Sequence, residues 1–480
     1  MNIELTQAVR KLDGDLDTPI SMYLKTVGQG NGLLLESAEV DGRWGRYSII
    51  AANFLLELGC RDGRLSIKSQ DQRLTPLAEF EGMPFDLGLK AVMRELSLTT
   101  AETPYQLPPI TRGLYGYLGY GLAGIFQPKL KACIPPGQAE ACLVLPGDLV
   151  LFDHLYNQVF HISLLNGCRS PVNQSFAAPL SPKIGPVKIS PGKAEYIGMV
   201  SKIKELICQG EAIQVVVSTR FSAPIEGCPF NIYRNLRAIN PSPYMFFMQF
   251  DGLCLFGSSP EALVRCSENV LGLSPIAGTR PRGNTKGEDN LFEGELMEDP
   301  KEKAEHVMLV DLGRNDLGRV AAPGSVKVER FMEVEKFSHV MHLTSYLSAN
   351  LNPGLDGVDI VAATFPAGTV SGAPKVRAME IVAETEGAFP GLHNGRGPYA
   401  GAIGWLGLDK SKVNLDLGLT IRSMWVRDGK LNWQAGAGIV YDSDPEREWK
   451  ECGNKAKAVL AAIEHNPEEQ EGASHVSAHR

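Results

Sequence analysis

The chain is short of what a disulfide framework, a membrane span or a nucleic-acid face would need. Its nine cysteines, an odd number, are scattered from Cys60 to Cys452 with no CxxC among them. That spacing argues against a disulfide scaffold and for a reducing compartment. No run approaches 18 uninterrupted apolar residues, so no membrane-spanning helix and no membrane partner are expected. The opening MNIELTQAVRKLDGD has no basic stretch followed by an apolar one, so no secretory leader is read and a cytoplasmic location is expected. Positive charge is scarce too: 47 Lys and Arg against 55 Asp and Glu leave a net −8, which argues against a nucleic-acid partner. The phosphate-binding GxxxxGK[ST] is absent.

What is present is enough chain, 480 residues, for a deep core. Runs such as GLLLES, RYSIIAANFLLEL, RLSIKS, CLVLPGDLVLFDH and QVFHISLL read as strands broken by Gly, Asp and Asn. From Asn166 to Gly192 periodicity is lost and Pro, Ser and Gly dominate, as in a linker or long loop. The following SPGKAEYIGMVSKIKELICQG reads as a helix capped by Ser190, with Pro191 in its first turn and Ile197, Val200, Ile203 and Ile207 on one face. AIQVVVSTRF, MFFMQFDGLCLFGSS, GAIGWLGL, NLDLGLTIRSMWV and KLNWQAGAGIVYDS read as further strands. The expected class is α+β, with antiparallel sheets. The expected organisation is an N-terminal domain over 1–165, a linker over 166–192, a second domain over 193–465 and a disordered tail over 466–480.

Several segments carry chemistry. LSPIAGTRPRG places two prolines, two glycines, Arg280 and Arg282 around Ala277. Its arginines suggest an anion, yet its centre offers no nucleophile, acid or base. Two helix starts are alike: Asp299-Pro300 precedes Glu302 and Glu305, and Asp444-Pro445 precedes Glu448, Glu451 and Lys455. Residues three apart share a helical face. Two readings stand: the carboxylates complement the helix dipole, or the two pairs face one another and hold a hard cation, for which Mg²⁺ fits best. TFPAGTVSGAPK, containing Thr369, crowds small residues before a helix and either binds an anion or makes a tight turn. WQAGAGIVYDS, with Gly436 and Gly438, clears side chains beside a ligand or another strand. Arg422, read inside an apolar strand, needs either a substrate carboxylate or a salt-bridge partner. His342 is open to a core or a functional role, and Glu261 to an acid or a turn role.

Taken in order, SPEALV, PIAGTRPRG, KEKAEHVMLVDLGRNDLGRV, VMHLTSYL, FPAGTVSGAPKVRAMEI, GPYAGAIGW, IRSMW and AGAGIVYDSDPEREWKECGNKA resemble the chorismate-utilising enzymes, most closely their anthranilate-forming branch. The resemblance implies a large antiparallel β-sandwich flanked by helices. In the aminodeoxychorismate-forming branch a nucleophilic lysine stands where this chain has Ala277. In the water-adding branch a lysine base stands at Gln214. With neither, the resemblance implies external ammonia as nucleophile. It implies Mg²⁺ on Glu305 and Glu448 with Glu302 and Glu451 near, and Glu261 as acid for the departing C4 hydroxyl. Thr279 and Thr369 would position chorismate, with His342 near its ring. Tyr399, Arg422, Gly436, Gly438 and Lys455 would surround the enolpyruvyl carboxylate.

The same resemblance implies that 193–465 is catalytic and that 1–165 contributes to a tryptophan feedback site. That site would use Glu36, Ser37, Asn240, Pro241, Met245 and Phe246. No glutaminase GxCxG occurs in the chain, so a separate glutamine amidotransferase subunit is implied, in an assembly of two large and two small subunits. The rival readings are the aminodeoxychorismate-forming branch and a catalytically dead amino-acid-binding regulator.

Overall fold

The computed structural model describes residues 2–14, 16–37, 45–165, 179–336 and 340–464. Most of the expected linker, 166–178, and the expected tail, 466–480, lie outside the described residues. The expected α+β class is what the structure holds: among the described residues 23 strands are joined in one hydrogen-bonded network, flanked by helices.

The network branches at the strand Ala141–Asp153, whose neighbours include the strands Tyr47–Arg61 and Gly113–Leu118. One arm runs from Tyr47–Arg61 through Gly32–Glu36, Tyr244–Phe250, Leu253–Ser259, Ser423–Arg427 and Lys430–Ile439 to Gln214–Glu226. The other runs from Gly113–Leu118 through Ala402–Gly407, Leu415–Leu419, Ala262–Ser267 and Val270–Leu273 to Val340–Asn350. One buried cluster joins both arms: Phe246, Met248 and Leu255 from the first meet Leu263, Ile403 and Leu417 from the second. Two antiparallel layers sharing inward-facing apolar side chains make a sandwich.

Segments from the two expected domains interleave in this sandwich. Gly32–Glu36 pairs with Tyr244–Phe250, and Gly113–Leu118 with Ala402–Gly407. Within the expected linker, Lys183–Ile184 and Lys188–Ser190 are short strands on the edge of Gln214–Glu226.

Helix caps follow local chemistry. Asp299 accepts hydrogen bonds from the backbone N–H groups of Lys301 and Glu302 and starts the helix Pro300–Gly318. Asp444 accepts from Arg447 N–H at the start of Pro445–Glu464. The expected Ser190 cap is not made. Ser190 is paired in a strand and its hydroxyl accepts from Gly391 N–H, so the helix Lys193–Cys208 starts at Gly192, whose N–H donates to Glu195 at 2.7 Å. Tyr196, Met199, Val200 and Ile203 form its buried face, with Ile197 and Ile207 at the margins.

One buried ion pair fastens the sheet to the segment that follows it. Arg396, 2 % exposed, donates to both oxygens of Glu386, at 2.7 and 2.9 Å, and to the carbonyls of Val370 and Val216. Glu386 also accepts from the Ser218 N–H and hydroxyl. Every member is satisfied, which makes burying two charges tolerable. Removing one partner strands the other. Arg396→Met is expected to destabilise the fold by about 3–5 kcal/mol in urea unfolding, and the double variant Arg396→Met/Glu386→Gln to recover part of that loss.

Candidate active site

The PIAGTRPRG segment contains a strand, Ile276–Pro281, paired with Val340–Asn350. A bulge between Ala277 and Thr279 is made by Gly278 in the left-handed region, φ +68°. A Cβ there would lie 3.1 Å from Glu302 Oε2, so the bulge and the 300–318 helix pack closely. The bulge sets Thr279 opposite His342. The Thr279 hydroxyl is 3.1 Å from His342 Nδ1, which also lies 2.9 Å from the Gly278 carbonyl. Burial pushes the His342 imidazole down, and the Arg422 charge does the same against the Gly278 carbonyl and Glu335.

The arginines of this segment do not wait for an anion. Arg280 reaches Asp299 at 2.9 Å and Glu302 at 3.3 Å, and Arg282 grips Asp289 at 2.6 Å. Both are spent on tying the strand to the neighbouring helices, so the anion reading of the segment is corrected. Arg422 is corrected in another way. It sits in a bend before the strand Ser423–Arg427, with φ +49°, rather than inside a strand. A non-glycine residue there is an outlier of the sort that gathers at functional sites. No ion pair of its guanidinium is found among the described residues. Burial pushes it down, while Tyr399 and Glu451 push it up.

Around Arg422 stand the other expected anion-binding groups. Tyr399 is buried, and its hydroxyl lies 3.2 Å from where a Cβ on Gly436 would stand. A Cβ on Gly438 would fall 2.7 Å from the Gln214 amide nitrogen. Both glycines therefore admit a neighbour that a side chain would exclude. Lys455 donates to the Gly436 carbonyl at 3.0 Å and pairs with Glu451 at 2.7 Å.

The carboxylates of the two helices come within reach of one another's charge. Burial pushes Glu305 up, against a 3.1 Å hydrogen bond from Gln214; Glu302 and Glu451 add to the rise and Lys455 opposes it. Burial likewise pushes Glu448 up against a bond from Ser443, with Glu451 adding and Lys301 and Lys455 opposing. Glu302 and Glu451 are each held by a cation, Arg280 and Lys455. Among the described residues no group of three or more Asp, Glu, His or Cys side chains is placed to hold a metal ion. Carboxylate oxygens are the donor chemistry of a hard cation such as Mg²⁺, which takes one or two of them and fills its other positions from water or substrate.

Glu261 is held apart from these. It accepts a 2.7 Å hydrogen bond from the Thr369 hydroxyl. Burial lifts its carboxyl to about 7, against that bond and the Lys455 charge. A carboxyl protonated near neutrality suits a general acid.

The residues expected at a feedback site divide. Glu36, at the end of Gly32–Glu36, stands opposite Met245. It accepts 3.0 Å bonds from Arg237 and a 2.7 Å bond from the Tyr233 hydroxyl. The Ser37 hydroxyl is buried with no partner among the described residues. Asn240 accepts from the Ser258 hydroxyl, and Pro241 is exposed. Phe246 points to the opposite face of its strand from Met245, into the core shared by the two layers. A separate cavity of about 720 Å³ lies near Glu226, at the far end of the 214–226 strand, and holds none of the expected site residues.

Sequence reasoning missed Arg396, Glu386, Arg237 and Tyr233. Each is a polar side chain whose partner lies far away in sequence or outside any motif, and a buried polar group requires a partner.

Comparison with known proteins bears on this geometry. A family model described as chorismate binding enzyme matches residues 67–461. Anthranilate synthase component 1 from Aquifex aeolicus is 41% identical over 484 residues, spanning 95% of this chain and 94% of its own. The protein of that description from Neisseria meningitidis serogroup B is 40% identical over 479 residues, spanning 95% and 94%. The crystal structure of anthranilate synthase component I from Streptococcus pneumoniae superposes with a TM-score of 0.68 at 33% identity, covering 94% of this chain and 99% of its own. The menaquinone-specific isochorismate synthase of Escherichia coli, at 19% identity and a TM-score of 0.69 over 97% and 96% of the two chains, shares the fold. Matched over most of its length by the family model, and about two-fifths identical to these relatives from end to end, the chain belongs to the chorismate binding enzymes.

Proposed function

We propose that this chain is the chorismate-converting component of an anthranilate synthase, forming anthranilate and pyruvate from chorismate and ammonia as a lyase of tryptophan biosynthesis. Relatives of that description cover nearly the whole chain. Their designation as component 1 implies a second component, and we assign to it the supply of ammonia from glutamine, since ammonia is mostly protonated at neutral pH. The observation that carries the reading is the pair Ala277 and Gln214. Ala277 is buried and inert, and the Gln214 amide is committed to Glu305. Neither position offers a nucleophile or a base, so nitrogen must come from outside.

The residues then divide the work. Arg422, Lys455, Tyr399 and the cleared backbone at Gly436 and Gly438 receive the enolpyruvyl carboxylate. Thr279 and Thr369 position the ring, with His342 beside it. Ammonia adds at C2 while the C4 hydroxyl departs, and loss of the C2 hydrogen with protonation of the enolpyruvyl methylene carbon then expels pyruvate and leaves the aromatic ring. Hydroxide is a poor leaving group, so Glu261 donates its proton as the C–O bond breaks. Glu305 and Glu448, with Glu302 and Glu451 beside them, are the assigned holders of Mg²⁺. The ion, when bound, supplies positive charge against the ring carboxylate. Glu36, Ser37, Asn240, Pro241 and Met245 line the assigned tryptophan feedback site, with Phe246 behind the strand. Feedback requires tryptophan to prefer one of two arrangements of the chain.

Purified chain given chorismate, Mg²⁺ and ammonium salt at alkaline pH is expected to produce fluorescent anthranilate without any partner and without response to glutamine. No product from folded, Mg²⁺-loaded protein would sink the assignment, and aminodeoxychorismate as product would move it to the rival branch. Glu305→Gln is expected to abolish Mg²⁺-dependent turnover while leaving the circular dichroism spectrum unchanged. Ser37→Phe is expected to relieve tryptophan inhibition with turnover retained; inhibition that persists would place the feedback site elsewhere.

Glu261 also makes a signed stability prediction. Its carboxyl is lifted from an ordinary 4.5 to about 7 in the fold. Between those values the native chain holds a proton that the unfolded chain has released, so stability falls as pH rises through that window. Glu261→Gln is therefore expected to be more stable than the parent at pH 8, with the gain shrinking as pH falls from about 7 toward 4.5 and absent below it. Denaturant titrations at several pH values measure this directly.

A further inference from the structure

Glu261 borders a second feature that the reaction outlined above leaves unused. It lines a cavity of about 30 Å³, together with Asp316, Ser274, Thr369, Gly313 and Leu312. Most of its wall is apolar, including Leu263, Leu273 and Leu309, but its size leaves room for one or two waters, and each needs two to four polar partners. Glu261, Asp316, Ser274 and Thr369 supply them.

Across the cavity from Glu261, Asp316 is 4 % exposed and accepts a 2.7 Å hydrogen bond from Lys375 Nζ. Lys375 also donates to the Thr364 carbonyl at 3.2 Å, and a tenth of its side chain reaches the surface. An apolar contact could join the helices Pro300–Gly318 and Lys375–Glu386 at lower desolvation cost. The pair therefore calls for a reason beyond packing.

Proton bookkeeping in the reaction supplies one. The C2–N bond forms and the C4–O bond breaks, with the ring electrons shifting between them. The departing hydroxyl takes the Glu261 proton and leaves as water. The proton lost by the added nitrogen is released where nitrogen enters. The later loss of pyruvate is proton-neutral, since the C2 hydrogen leaves as the enolpyruvyl methylene carbon gains a proton, so Glu261 is still a carboxylate and must be reloaded before the next turnover.

The geometry points to the Asp316–Lys375 pair as the relay that reloads Glu261 through water in this cavity. A proton passes from Lys375 to Asp316, from Asp316 through the water to Glu261, and Lys375 regains one from solvent. The neighbouring charges are Lys455 beside Glu261 and Arg319 beside both Asp316 and Lys375. Burial pushes Asp316 up and Lys375 down, which narrows the gap the proton must cross. The inference rests on the reading of Glu261 as the acid in chorismate turnover.

The test is ammonia-dependent turnover by the full chain, in H₂O and D₂O. The variant Asp316→Asn/Lys375→Met removes both charges together and leaves neither stranded. It is expected to lose at least about tenfold in kcat, keep the chorismate KM within about twofold, and show a larger solvent isotope effect. A folded double variant with parental kcat and isotope effect overturns the relay. So does a fall in kcat with an unchanged isotope effect, which marks a structural role.

Should the double variant fail to fold, Gly313→Ala decides. Its Cβ would stand 3.1 Å from Leu273 and 3.7 Å from Pro275, both walls of the cavity. It is expected to lower kcat several-fold with the same rise in isotope effect, and parental kinetics overturn the relay. Parent protein that fails to turn over chorismate overturns the functional reading and the relay together, whereas an active parent with unaffected variants overturns the relay alone.

Discussion

The site depends on the fully satisfied ion pair of Arg396 and Glu386. Through it the 214–226 strand, the turn at Val370 and the segment leading to Tyr399 are held as one piece. Arg396 also stacks over Tyr120 and Tyr399, with its guanidinium 4.7 and 5.9 Å from the ring centres. Tyr399, Gly436 and Gln214 thus stand on a frame whose polar groups have no better alternative in the folded state. A buried network with every partner present is costly to rearrange, and an anion-binding surface built on it keeps its shape.

On that frame the chemistry comes from elements far apart in sequence. The 300–318 helix brings Glu302 and Glu305 to the bulged strand at Gly278. The 445–464 helix brings Glu448, Glu451 and Lys455 to the end of Lys430–Ile439. Excess negative charge collects between the helices, and Arg280, Lys301 and Lys455 balance only part of it. Glu261 sits in a different electrostatic setting, under a hydroxyl donor and the Lys455 charge. The contrast separates carboxylates suited to holding a cation from one suited to holding a proton.

How much of this was legible depended on whether local chemistry decided it. Asp299-Pro300 and Asp444-Pro445 start helices because an N-cap and its first turn are local affairs. The strands were visible because apolar runs bounded by turn residues are equally local. Ser190 failed as a cap because a strand partner claimed its backbone and Gly391 its hydroxyl, and no local pattern records either. Arg280 and Arg282 offered themselves as anion ligands only while Asp299, Glu302 and Asp289 were unplaced. The bend at Arg422 was hidden inside NLDLGLTIRSMWV because its cause is the passage from Leu415–Leu419 in one arm of the sandwich to Ser423–Arg427 in the other. Phe246 was grouped with Met245 by adjacency, yet successive strand residues face opposite sides. The chorismate-enzyme resemblance supplied the roles that periodicity could not, and the coordinates supplied the partners of Glu36 and Gln214 that resemblance did not mention.

The strand Gly32–Glu36 is wedged between Tyr47–Arg61 and Tyr244–Phe250, and the strand Lys430–Ile439 between Ser423–Arg427 and Gln214–Glu226. One layer is therefore completed only by residues at the far end of the chain. During synthesis Gln214–Glu226 must wait, with an open edge, for a partner made more than two hundred residues later. Such an edge is a template for strangers, so a ribosome-bound intermediate of this protein has reason to meet a chaperone before it meets its own last strand.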